Sequence, residues 1–384
     1  MDGLRARAAA LAEDLTDCRR DLHRNPELGF EVQRTAGVVT ERLRALGAEV
    51  RTGVGRTGVV GILRAPQAAG PAVLLRADMD ALPVQEVEGR PYGSQVPGRM
   101  HACGHDGHTT MLLGAASLLA SDRSRLTRDV VLLFQPAEEG GGGAQAMIED
   151  GALEFVPVGS AYALHLWCPL PAGTARVRVG PIMAAQDEFT GRILGRGGHG
   201  ALPHQALDPI LTAAHALTSL QAVVSRSLDP VEPAVITVGS FHAGTAPNVI
   251  PNQAVLEGTL RSFSEPVREM LRRRVREVLE GTAAAHGCRA EMELRPGYPA
   301  VVNAAEAVAR VREAGGAVFG PERILDTAPL AAAEDFAYFA QRVPAAFVLV
   351  GAGNGPPNHA SDFDLDESVL PLGAELLARL ALTP

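Results

Sequence analysis

Four short, nearly uninterrupted apolar runs mark the chain at residues 72–76, 130–134, 161–164 and 346–350. Runs of this length, alternating with segments of helical periodicity, predict buried strands in a sheet covered by helices. Residues 4–25 carry a helical pattern ended by Pro26. A second, over 32–46, stops at Gly47, where a helix C-terminus expects glycine. Residues 109–119 predict another helix, with Met111, Leu112, Ala115, Leu118 and Leu119 on one stripe.

The middle of the chain follows a different rhythm. Residues 189–195 read as a strand and 207–227 as a helix entered through Asp208-Pro209. Strands at 234–241 and 254–263, a charged helix at 265–286 and a last strand at 288–294 complete a β-α-β-β-α-β order. That order describes a ferredoxin-like unit. It predicts two domains: residues 1–184 with 296–384, and an insert spanning 185–295.

Each of the four apolar runs leads directly into candidate chemistry: Asp78 and Asp80, Glu138 and Glu139, His165, and His359. Ligands in open α/β sheets gather outside the carboxyl ends of the strands. Between the first two runs lies Met100-His-Ala-Cys-Gly-His-Asp-Gly-His108, which sets Cys103 and His105 two positions apart among glycines at the start of a helix. A thiolate, imidazoles and adjacent carboxylates are the donors and bases that a water-activating metal site requires. With two adjacent glutamates, one can bind metal while the other moves protons. Taken singly, each of these residues has an ordinary structural reading; the grouping makes the argument. Gly195-Arg-Gly-Gly-His-Gly200 matches a dinucleotide fingerprint, but Pro203 interrupts the helix that should follow.

Composition narrows the classes further. At 384 residues and 46% apolar content, the chain can build about two packed domains. A net charge of −9 and the lack of a Lys/Arg block argue against nucleic-acid partners. The charged start, Met1-Asp-Gly-Leu-Arg-Ala-Arg, gives no expectation of a signal peptide, and no apolar run approaches the roughly 20 residues that span a bilayer. Cys18, Cys103, Cys168 and Cys288 are too scattered for a disulfide framework, which points to a cytoplasmic setting.

Assembled, these segments resemble the aminoacylase/hippurate hydrolase family of dinuclear-metal amidohydrolases, which also holds indole-acetyl-amino acid hydrolases and N-acetyldiaminopimelate deacetylases. The likeness runs from Asp21-Leu-His-Arg-Asn-Pro-Glu-Leu-Gly29 through Leu75–Pro83, Met100–His108, Gln135–Gly140, Gly197–His204, Ala246–Pro251 and Ala333–Phe336 to Asn358–Glu367. The resemblance implies an aminopeptidase-like α/β catalytic domain, a mixed sheet covered by helices, with the ferredoxin-like insert as a lid and possible homodimer interface. It implies two divalent ions (zinc, manganese, cobalt or nickel) held by Cys103, His105, Glu139, His165 and His359. Glu138 would be the general base, Asp80 a carboxylate that orients ligands, and His199 and Asn248 substrate contacts. Asp78 stands where more distant relatives place a liganding histidine, so its role stays open. The implied activity is hydrolysis of N-acyl amino acids, small-molecule substrates, to a carboxylic acid and a free amino acid. A metallo-dipeptidase or aminopeptidase on the same scaffold, and a hydrolase using Cys103 as nucleophile, are the alternatives.

Overall fold

The computed structural model describes residues 2–383. Two compact units emerge, one of residues 2–182, 302–328 and 335–383, the other of Met183–Val301 with Pro329–Glu334. Along the chain the strands are β1 (Glu49–Val54), β2 (Gly58–Leu63), β3 (Ala72–Asp78), β4 (Val130–Gln135), β5 (Val158–Trp167), β6 (Ala175–Arg176), β7 (Gly180–Met183) and β8 (Ala185–Leu194). They continue as β9 (Gly198–His199), β10 (Ala234–Ala243), β11 (Val249–Ile250), β12 (Gln253–Ser262), β13 (Arg289–Pro296), β14 (Val301–Asn303), β15 (Ile324–Leu325) and β16 (Ala345–Gly351). The helices are α1 (Asp2–Ala10), α2 (Ala12–Arg24), α3 (Gln33–Ala45), α4 (His105–Ser121), α5 (Gly143–Glu149), α6 (Pro209–Ala222), α7 (Glu265–Ala285), α8 (Ala305–Phe319), α9 (Ala337–Ala340) and α10 (Leu370–Leu382).

The first unit is built on an eight-stranded mixed sheet in the order β1-β2-β4-β3-β5-β16-β6-β15. Its centre, β4-β3-β5-β16, is parallel. Parallel strands are covered on both faces, and β3, β4 and β16 are buried at every residue. That is why they read as apolar runs rather than alternating patterns. On one face α4 is buried without a break from His105 to Ala116. Its Leu112 and Leu119 share a core cluster with Leu376, Leu377 and Leu380 of α10. Among the described residues no helix is long and apolar enough to cross a membrane.

The expected helix over 4–25 is two helices. Leu11 closes a tight turn onto Ala8 and then starts α2 through a Leu15 N–H to Leu11 carbonyl bond. The buried stripe of α2 is Leu15, Cys18, Arg19, Leu22 and His23, so a cation and an imidazole occupy positions that periodicity assigns to the core. Both face Asp106 in the first turn of α4: Arg19 Nε donates to it at 2.8 Å and His23 Nδ1 at 2.7 Å. His23 Nε2 meets Glu86 at 3.1 Å. Burial opposes the charged form of His23, but the bonds to Asp106 and Glu86 outweigh it and raise its pKa. Paired this way, buried charge is tolerated, and it ties the start of α4 to α2.

The second unit carries a four-stranded antiparallel sheet, β10-β12-β8-β13. With α6 between β8 and β10 and α7 between β12 and β13, this is the ferredoxin-like β-α-β-β-α-β arrangement. Asp208 caps α6 by accepting from the Ile210 and Leu211 amides. The unit runs past residue 296 because Gly297 and Tyr298 stay bonded to Gln186 at the start of β8. It also takes up Pro329–Glu334, where the Leu330 and Ala332 carbonyls accept from Ala184 N–H.

One buried charge organises this unit. Asp187 on β8 accepts from Arg268 Nε and Nη2 at 3.0 and 2.7 Å and from Arg272 Nε and Nη2, both at 2.8 Å. The Gly297 amide adds a fifth bond at 3.1 Å. Burial raises the Asp187 pKa, and the arginine bonds outweigh it and lower it. A lowered carboxyl pKa stabilises the fold above its unfolded value and stops doing so as pH falls through the folded value. Asp187→Asn, which leaves the buried Arg268 guanidinium and the part-buried Arg272 guanidinium underpaired, should therefore cost about 3–5 kcal/mol in urea or thermal unfolding at pH 7. The difference between variant and wild type should begin to shrink below about pH 4, the ordinary carboxyl value, and go on shrinking as pH falls towards the lower folded value of Asp187.

Candidate metal centre

The ends of β3, β4 and β5 converge in the first unit, and loops complete the gathering. After β3 the chain stays extended: Met79 N–H bonds to the Gln135 carbonyl, Ala81 N–H to Glu27, and Leu82 pairs with Met100. That pairing delivers the 100–108 segment to the site. Gly104 is the residue before α4 and adopts φ +87°, a left-handed turn that glycine takes without penalty. Cys103 is thus presented just ahead of the helix and His105 at its first position.

The loop after β4 is held by Asp80. Its two carboxylate oxygens accept the consecutive amides of Glu138 and Glu139 at 2.9 and 3.1 Å, which fixes both glutamates relative to β3. Ala137, just before them, has φ +54°. At Gly143 an added Cβ would lie 1.7 Å from the Pro136 carbonyl oxygen. The return of the loop is therefore possible only with glycine there.

Every ligand candidate in the first unit comes to one place. Donor atoms of Cys103, His105 and His165 lie within 4.8 Å of one another, as do those of Cys103, Glu139 and His359, and of His105, Glu138 and Glu139. The first two trios share Cys103. Its Sγ lies 3.5 Å from His165 Nε2. His359 is half-exposed, with φ +72°, and its Nε2 faces Glu139 Oε1 at 3.4 Å. Trp167, two residues beyond His165 on the same strand face, sets its ring 5.4 Å from that imidazole.

Several of these atoms are buried without a hydrogen-bond partner: both ring nitrogens of His105, and Oε1 of Glu139. The nearest carboxylate to His105 Nδ1 is Asp80, 3.6 Å away. Buried polar atoms are normally paired, so unpaired ones converging on a point are what a cation site requires. Electrostatics agrees. Burial disfavours protonated His105, yet the charges of Asp78 and Cys103 raise its pKa well above the usual imidazole value. His359 is raised to about 10 by the neighbouring Cys103 and Glu139. Both shifts say that this cluster attracts positive charge. The sulfur, nitrogen and oxygen donors suit transition-metal ions.

Asp78 is differently employed. Its Oδ2 accepts from Arg76 Nη1 at 2.7 Å and its Oδ1 from His108 Nδ1 at 2.6 Å. Burial raises its pKa, but His105, Arg76 and His108 lower it well below the usual carboxylate value. Arg76 also donates to Gln135 at 2.9 Å and to Asp335 at 3.0 Å, and Gln135 donates to Asp335 at 2.7 and 2.9 Å. His108, Arg76, Gln135 and Asp335 were not singled out from the sequence as site residues. An arginine inside an otherwise apolar strand was the one available signal. Asn358 was also missed: its Nδ2 donates to the carbonyls of Cys103 and Leu166, and its Oδ1 accepts the Cys168 amide.

His199 and Asn248 lie in the second unit, both exposed, and neighbour each other there: β9 pairs with β11 at His199–Val249, and Gly200 N–H bonds to the Asn248 carbonyl at 2.8 Å.

Residues 74–383 match peptidase family M20/M25/M40. The chain belongs to that family. The IAA-amino acid hydrolase ILR1-like 4 of Arabidopsis thaliana is 41% identical over 372 residues, covering 94% of this chain and 84% of the relative. The hippurate hydrolase of Campylobacter jejuni is 38% identical over 368 residues, 95% and 94% of the two chains. The crystal structure of a dinuclear metal binding peptidase of the M20 family from Bacillus subtilis superposes with a TM-score of 0.86 at 34% identity, covering 97% of this chain and 98% of that one.

The tight loop yields a pair of opposed mutations. Gly143→Ala must displace the carbonyl of Pro136 and should lower the thermal midpoint by several degrees, a loss of about 2 kcal/mol or more. Gly37→Ala, in the middle of α3 with nothing within 4 Å of the added carbon, should raise stability by about 0.5–1 kcal/mol. Differential scanning calorimetry of the two variants checks both signs.

Proposed function

We propose that this protein is a metal-dependent amidohydrolase that cleaves N-acyl amino acids to a carboxylic acid and a free amino acid. The observation that carries the reading is the convergence of Cys103, His105, Glu139, His165 and His359 around buried, partnerless donor atoms, with Glu138 beside them. Its similarity to an IAA-amino acid hydrolase and a hippurate hydrolase supports the substrate class, an acyl group in amide linkage to an amino acid.

The five donors would hold two divalent ions, zinc, manganese, cobalt or nickel. When bound, such ions polarise a carbonyl and acidify a water towards neutrality. Glu138 supplies the proton traffic. Its Oε2 stands 4.0 Å from His105 Nε2, at the edge of the donor set. It takes the proton of water as oxygen attacks the amide carbon, and returns that proton to nitrogen as the C–N bond breaks. Asp80 orients this step by gripping the two glutamate amides. In the second unit, His199 accepts the Ala201 amide on Nδ1 at 3.0 Å, so its neutral ring carries the proton on Nε2. We assign that N–H, with Asn248, to the substrate carbonyl or carboxylate, and the insert to the role of lid.

The second unit also supports self-association. The edge strand β10 (Ala-Val-Ile-Thr-Val-Gly-Ser-Phe-His-Ala) has no Asp, Glu, Lys or Arg, and Val235 and Phe241 on it are exposed. The opposite edge, β13, is lined by Arg289, Glu291, Glu293 and Arg295, charges that discourage pairing. A homodimer would use β10. Light scattering should give twice the protomer mass for the wild type and the protomer mass for Thr237→Lys; a wild-type protomer mass would end this assignment. All four cysteines are free, which suits a reducing, cytoplasmic setting.

Amino-acid release from N-acetyl and N-benzoyl amino acids and from free dipeptides tests the main reading. Release from the N-acyl substrates should vanish on chelation and return with added divalent metal. Glu138→Gln should lower kcat by about 10²–10⁴ while metal content stays at the wild-type level. Release from dipeptides alone would place the protein among peptidases, and chelator-indifferent activity in metal-free protein would favour Cys103 as nucleophile.

A further inference from the structure

We propose that His108 is a positioning residue that aims His165 at the metal centre through the backbone of Leu166, and that it binds no metal itself. The proposal rests on the metal reading above. His108 is a plausible ligand by proximity alone, since its donor atoms group with those of Asp78 and His105 within 4.8 Å. Its ring lies 5.2 Å from that of His105 and 4.6 Å from that of His165, wedged between two of the assigned ligands.

Hydrogen bonding decides against ligation. His108 Nε2 accepts the Leu166 amide at 2.8 Å, so that nitrogen carries a lone pair and no proton. Nδ1 must then hold the proton, which it donates to Asp78 Oδ1 at 2.6 Å. Both ring nitrogens are committed. No lone pair remains for an ion unless one of these buried bonds is given up, and Asp78 is itself held on its other oxygen by Arg76.

The Leu166 backbone passes the constraint on. Its N–H goes to His108, and its carbonyl accepts from His165 Nδ1 at 2.9 Å and from Asn358 Nδ2 at 3.0 Å. The His165 proton is thereby fixed on Nδ1, leaving Nε2 as a lone pair facing Cys103 Sγ. A ligating histidine is ordinarily oriented by an acceptor at its second nitrogen. Here that acceptor is a main-chain carbonyl, and the residue carrying it is held at its N–H by His108, itself bonded to Asp78, and at its C=O by Asn358. Asn358 also reaches the Cys103 carbonyl at 3.2 Å and directly precedes His359. The backbone of one residue, Leu166, thus sets the direction of His165 and is tied to the segments that carry Cys103 and His359.

The test uses the full chain, stripped of metal and titrated with cobalt(II). His108→Phe keeps a flat ring in the wedge but removes both hydrogen bonds. The affinity of one of the two cobalt sites should fall about 10–100-fold, with a change in the cobalt visible spectrum, while the other site stays near the wild-type value. Folded His108→Phe with wild-type cobalt affinities and spectrum would overturn the proposal. Should the variant not fold, ring-nitrogen NMR of wild-type protein labelled with 15N-histidine gives the answer without mutation. On adding zinc(II) or cobalt(II), the His165 Nε2 signal should move while His108 keeps its Nδ1–H form; a metal-shifted His108 Nε2 signal would make His108 a ligand and end the proposal. If wild-type protein bound neither ion, the metal reading itself would fall, an outcome distinct from two sites that ignore His108.

Discussion

A guanidinium inside the central sheet holds this architecture in register. Arg76 points from β3 into a wholly buried space and is received by Asp78 on its own strand, Gln135 at the end of β4 and Asp335 just before α9. Asp335 in turn accepts the Ala144 amide in the first turn of α5. Removing any one partner would leave charge or amide uncompensated in a low-dielectric interior, so the set is held or lost together. The carboxyl ends of β3 and β4, from which Asp80 and the two glutamates project, are aligned as a consequence.

Two further layers follow from that alignment. Asp80 converts the position of β3 into the position of Glu138 and Glu139, because both of its oxygens are taken by their amides. Asp78 does the same for β5, through His108 and the backbone of Leu166. Two aspartates in one Asp-Met-Asp step thus face different tasks: one steadies the loop carrying the proposed base, the other steadies a proposed ligand. Neither needs to touch metal. Behind α4, the Arg19, His23, Asp106 and Glu86 group fixes the helix start from the opposite side, so Cys103 and His105 are braced on both flanks.

What the sequence revealed, and what it hid, follows from the same physics. Fully buried parallel strands have no polar face, so the runs ending near Asp78, Gln135, His165 and Gly351 stand out, and the polar residues beyond them are conspicuous by contrast. The ferredoxin-like insert was legible because α6 begins with Asp208-Pro209 and the strands around it alternate. Arg76, Asp335 and Asn358 were not legible as partners, since long-range pairing of polar groups leaves no local periodicity. Leu11 breaks a helix that the hydrophobic pattern alone would continue. Asp78 illustrates the limit most directly: its place in the sequence leaves its role open, and only the placement of Arg76 and His108 shows both its oxygens occupied.

Trp167 is the single tryptophan of the chain, and it packs against His165. Any near-ultraviolet emission excited selectively in indole therefore comes from one address, an ångström-scale neighbour of the donor cluster. The protein carries its own optical probe: quenching by a bound paramagnetic ion, or a shift in emission colour as the ring's surroundings dry out, would report on this centre alone, without a label and without a competing signal from elsewhere in the fold.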